Sequence, residues 1–75
     1  MIEDVFLDFE SRGVVGLQAF RTVPNWPTTG PETFTIRGFV GAATLFSTGS
    51  DADSVVADFD RQLTTFQRIQ PRKLP

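Results

Sequence analysis

Six apolar residues in the last third of the chain, Ala52, Val55, Val56, Phe59, Leu63 and Phe66, recur at the i, i+3, i+4, i+7 spacing. At about 100° per residue they fall on one stripe, and the positions between them are small, polar or charged. Such a pattern folds as an amphipathic helix with one face committed to a core. Ser50, Asp51, Ala52 and Asp53 have the form of a capping box, with the Ser50 hydroxyl placed to accept from the third amide beyond it. Asp51, Asp53, Asp58 and Asp60 occupy the first half, while Arg61 and Arg68 occupy the second. Both signs therefore oppose the helix dipole favourably. Pro71 biases its predecessor out of the α region, so the spacing predicts a helix over about 51–69, roughly 28 Å long.

The residues before it read as strand. Val5, Leu7 and Phe9 alternate with Phe6, Asp8 and Glu10, which predicts a strand over about 4–10. Ser11, Arg12 and Gly13 read as a hairpin turn into a second strand over about 14–23. Three prolines within 24–31 remove donors and fix φ, so that segment, which carries Trp26, is a loop. Alternation resumes over 33–46, interrupted by Gly38 and Gly41, so the run is either one strand or two shorter ones split at a bulge or bend. The expected fold is α+β: a three- or four-stranded antiparallel meander followed by one C-terminal amphipathic helix, βββα or ββββα. The basic residues of 71–75 form a tail, either a frayed terminus or a peptide ligand.

A chain of 75 residues holds one domain, for which burial alone typically leaves about 3 to 5 kcal/mol of net stability. With no cysteine, neither disulfides nor thiolate metal sites supplement it. Histidine and tyrosine are also missing, leaving carboxylates, hydroxyls, Arg and the single Lys73 for chemistry. That inventory argues against an enzyme. Asp8 and Glu10 share a face of the expected strand but lack a third ligand, so no metal site is expected. Ser47, Thr48, Ser50 and Ser54 surround Gly49 ahead of the helix, yet Asp51 and Asp53 would repel a phosphate there, and no cofactor motif occurs elsewhere. The N-terminus carries acids where an export signal carries bases, and no apolar run is long enough to span a bilayer. The expectation is a cytoplasmic or virion protein with no membrane role.

Arg37-Gly38-Phe39-Val40 resembles four residues of the sheet motif by which RNA-recognition domains stack bases. The resemblance implies a stacking platform on Phe20, Arg37 and Phe39 for a single strand. It ends with those four residues, and the formal net charge of −2 lacks the basic excess of a phosphate binder.

One helix covers one side of a sheet. If Val5, Leu7, Phe9, Val15, Leu17, Phe34, Ile36 and Val40 meet the helical stripe, then Phe6, Val14, Phe20, Phe39 and Leu45 remain on the reverse. A sheet curled into a partial barrel would hide them; otherwise they form a patch that invites a partner. Trp26, held between prolines, either anchors such a contact or folds back over the core. The expected interface is therefore Phe6, Phe20, Trp26, Phe39 and Leu45, and the expected role is a non-catalytic assembly, structural or accessory subunit bound to a protein partner or to its own copies. The alternative is a small acidic inhibitor or anti-defence protein that uses Glu3, Asp4, Asp8 and Glu10 against a basic target.

Overall fold

A computed structural model describes residues 2–22 and 32–69; Trp26 with its loop and the basic tail lie outside them. Along the chain come helix α1 (Ile2–Ser11), strands β1 (Val15–Thr22), β2 (Thr33–Val40) and β3 (Ala43–Gly49), and helix α2 (Ala52–Ile69). The strands form one antiparallel sheet in the order β1-β2-β3, followed by the C-terminal helix, which is the expected α+β meander.

α2 forms because its stripe has a core to enter. Val55, Phe59 and Leu63 are buried along it, with Ala52, Val56 and Phe66 half-buried beside them. Its cap is Asp51 rather than Ser50. The Asp51 carboxylate accepts from the Ser54 amide at 2.9 Å and from the Ser54 hydroxyl at 2.8 Å. These two donors, the hydroxyl first, hold the Asp51 carboxyl below the ordinary aspartate range.

The segment expected as a strand over 4–10 is helix α1. Val5, Phe6 and Phe9 also stand at helical spacing, and Glu3 and Asp4 occupy a first turn where acids favour a helix. The helix turns Phe9 inward and leaves Leu7 62% exposed, which undoes the alternation. The expected hairpin turn at 11–13 is instead the helix terminus. Val14 N–H donates to the Phe9 carbonyl at 3.1 Å and Gly13 N–H donates to the Glu10 carbonyl at 3.1 Å, with Gly13 at φ +100°. This is a Schellman closure, and its usual apolar contact is present because Phe9 and Val14 are both core residues. Val14 is thus buried at the mouth of β1, not on the reverse of the sheet.

Two backbone devices set which side chains share a face. Between Val15 and Gln18 the register against β2 slips, with Gly16 at φ +64°, so Val15 and Gln18 end on the same side and Leu17 turns inward. Between β2 and β3 the connection is Gly41-Ala42, with φ +60° at Gly41 and no positive φ at Ala42, the II′ pattern of a two-residue hairpin. Val40 therefore pairs with Ala43, and odd residues of β3 join even residues of β2. Carrying simple alternation through that turn misplaces two residues: Leu45 is buried, and Phe46 is open. Gly38 marks no bend. It lies mid-strand, where a Cβ would meet Val14 Cγ1 at 2.5 Å.

The core lies between the sheet and the helices: Ile36, Val40 and Leu45 from below, Val55, Phe59 and Leu63 from above, closed at one end by Phe9 and Val14. The Phe9 and Phe59 rings meet at 4.9 Å between centroids in a tilted arrangement. Arg12 fastens α1 to α2, donating to Asp60, to Asp8 at 3.3 Å and to the Thr64 hydroxyl at 3.0 Å. Its own carbonyl accepts from the Gln67 amide at 2.7 Å.

Candidate protein interface on the outer sheet face

Pairing across the three strands brings one set of side chains together on the side away from the helices. β1 contributes Val15, Gln18, Phe20 and Thr22; β2 contributes Thr33, Thr35, Arg37 and Phe39; β3 contributes Thr44, Phe46 and Thr48. The four apolar members stay open: Val15 is 60% exposed, Phe46 56%, Phe20 46% and Phe39 39%. Among the described residues no element covers this face.

Arg37 stands at its centre, on the middle strand. It donates to the Gln18 side-chain oxygen on β1, sits opposite Phe46 on β3, and lies 5.6 Å from the centroid of the Phe20 ring. That stacking contributes roughly 0.5 to 1 kcal/mol at an exposed site. The guanidinium is oriented by neighbours but has no carboxylate partner among the described residues. Farther along the face, the Thr35 and Thr48 hydroxyls join at 2.8 Å. The Phe39 ring lies over Gly16, where a Cβ would come within 3.0 Å of Phe39 Cδ2. The β1 bulge thus gives this ring its seat.

The result is a shallow aromatic surface with threonine and glutamine around it and a single charge. Protein interface cores have this character, enriched in aromatics and Arg and depleted of other charges. Of the residues expected at an interface, the structure brings Phe20 and Phe39 together here. Phe6 lies on α1, half-buried against the core, Leu45 lies inside the core, and Trp26 is outside the described residues. Sequence reasoning missed Val15 and Phe46. The signal for Phe46 was the Gly41-Ala42 dipeptide, whose two-residue loop length sets the parity of the next strand.

The acids of α1 are Glu3, Asp4, Asp8 and Glu10. All four are exposed, and Asp4 and Asp8 also border a groove against α2. Asp58, on α2, is held below the ordinary aspartate range, first by the Ser47 hydroxyl and then by Gln62. Ser47 Oγ is buried and approaches that carboxylate without reaching strict hydrogen-bond geometry. Among the described residues no group of three or more acidic side chains converges as a metal site. No helix among them is long and apolar enough to cross a membrane. No protein-family model, curated protein or solved structure matches the chain.

Proposed function

We propose that this chain is a non-catalytic interaction domain, an assembly, structural or accessory subunit of a larger complex such as a virion or multi-subunit machine, and that it joins its partner through the outer sheet face. The supporting observation is the cluster of Phe20, Phe39 and Phe46 around Arg37, open to solvent on a surface that no part of the described chain covers. An exposed aromatic cluster of this kind favours association, with a protein partner or with further copies of the chain. The small core gives the same direction, because association adds stability that burial within 75 residues supplies sparingly.

The test is the mass of the native species isolated from its source, compared with that of a Phe20→Ser/Phe39→Ser/Phe46→Ser variant. The expected result is a stoichiometric complex or homo-oligomer that the variant dissociates while keeping its fold. A monomer at high micromolar concentration, with nothing bound in its source, overturns the reading.

One observation favours a second reading. Phe20, Arg37 and Phe39 do lie on one open face, as base stacking on a single strand requires. Against it stands the lone cation, which offers little attraction to a phosphate chain. Fluorescence anisotropy with mixed oligonucleotides at low salt separates the two, a flat titration supporting the protein interface and a saturable one the nucleic-acid surface.

A further inference from the structure

The two helices leave a groove of about 420 Å³ between them, independent of the sheet face. Asp4 and Asp53 line it, one on each helix, and Arg12, just beyond α1, joins Asp8 to Asp60 across it. The floor is apolar, formed by Val5 and Phe9 from α1 and Val56 and Ala57 from α2. Four carboxylates stand along the two rims, and Arg12 neutralises one equivalent, so the groove carries a formal charge of −4 + 1 = −3. Asp4 and Asp53 have no cationic partner among the described residues. In the first turns of their helices both also offset the amide dipoles, but that role extends neither to Asp8 nor to Asp60. Nor does it account for an open apolar floor between the rims.

We propose that this groove is a docking site for a basic amphipathic segment of a partner protein, apolar on one side and flanked by Lys or Arg. Charge complementarity selects that occupant. Asp4 and Asp8 are spaced i, i+4, about 6 Å along α1, and Asp53 and Asp60 are spaced i, i+7, about 10 Å along α2. Cations four and seven residues apart on an incoming helix match those intervals, while its apolar stripe meets Val5, Val56 and Ala57. Ala57 matters by its smallness, since a larger side chain there closes the trough. An acidic or neutral segment would bring apolar area but face four carboxylates, an arrangement that costs affinity and slows encounter.

The probe is an acetylated Leu/Lys helical peptide with lysines at i, i+4 and i+7, titrated into the isotope-labelled full chain and followed by backbone amide shifts. The expected result is saturable shifts confined to α1 and the first half of α2, with affinity falling several-fold from low to physiological salt. Asp4→Asn/Asp53→Asn weakens binding about tenfold. Ala57→Leu, a favourable helix residue at an exposed site, abolishes it with every acid in place. A Glu/Leu peptide of the same pattern leaves the spectrum unchanged. Equal binding by Ala57→Leu, or shifts on the sheet face, overturns the site. Self-association in the absence of peptide that Arg72→Ala/Lys73→Ala removes, with α1 and α2 shifts lost alongside, assigns the groove to the tail of a second copy and overturns the partner segment. The Phe20→Ser/Phe39→Ser/Phe46→Ser variant keeps peptide binding, so the groove and the sheet face stand or fall separately.

Discussion

The two faces of the sheet carry similar residues with opposite fates. Ile36, Val40 and Leu45 on the inner face lie under α2 and hold the fold together; Phe39 and Phe46, their immediate neighbours along the strands, look outward with nothing over them. Hydrophobicity alone does not separate the two sets. The pleat does, together with two glycines at positive φ, Gly16 and Gly41, that reset which side chains fall on which side. Greasy residues here divide into those that fold the chain and those left over for contact, and backbone geometry makes the division.

Four substitutions or conditions test that division, beginning with the largest effect. Phe59→Ala removes a fully buried ring that packs at a tilt against Phe9 and is expected to cost about 3 to 5 kcal/mol, comparable with the whole stability of a domain this size. Urea denaturation followed by circular dichroism should find the variant largely unfolded in buffer, and a native-like midpoint would show that the inner face is not the stabilising one. Gly38→Ala forces a methyl against Val14 and Leu17 and is expected to cost about 1 to 3 kcal/mol, read from the same urea midpoint. An unchanged midpoint would mean that the inner face packs more loosely than the geometry requires.

On the outer face the expectation reverses. Phe39→Ser or Phe46→Ser changes stability by only about 0.5 kcal/mol, as exposed positions do, while weakening association in sedimentation. A loss as large as that of Phe59→Ala would erase the distinction between the faces. The smallest effect concerns pH. Asp51 and Asp58 both have carboxyls lowered in the folded state below the ordinary value of 3.8, so their contribution is present above that value and is lost as the pH falls through the lower folded values. The melting temperature should therefore decline below pH 3.8, and Asp51→Asn should decline less steeply. Parallel declines would exclude the Asp51 cap as a source of the slope.

Much of this was legible in the sequence, and the failures have physical causes. The α2 stripe carries six apolar positions in register, whereas 33–46 stayed open between one strand and two, because, of its two glycines, only Gly41 takes the positive φ of a turn. α1 was missed because Val5, Leu7 and Phe9 satisfy a two-residue period while Val5, Phe6 and Phe9 satisfy a helical one; over so short a span the tertiary contacts of Phe9 with Phe59 and Val14 decide. Gly13 followed by Val14, four and five residues after Phe9, was the available sign of a helix terminus. At the candidate interface, Phe20 and Phe39 were legible from strand alternation, whereas Leu45 and Phe46 exchanged places because a two-residue turn shifts parity by one. Phe6 followed α1 into the margin of the core.

The Arg12 bridge has a consequence for how the chain is made. Phe9 and Arg12 leave the ribosome well before the groups that seat them, Phe59, Asp60 and Thr64. A nascent polypeptide halted before Asp51 would hold a three-stranded ribbon with both sides bare and an upstream helix without a dock, the kind of species that aggregates or recruits chaperones. Synthesis of α2, rather than growth of the sheet, is then the step that completes the core.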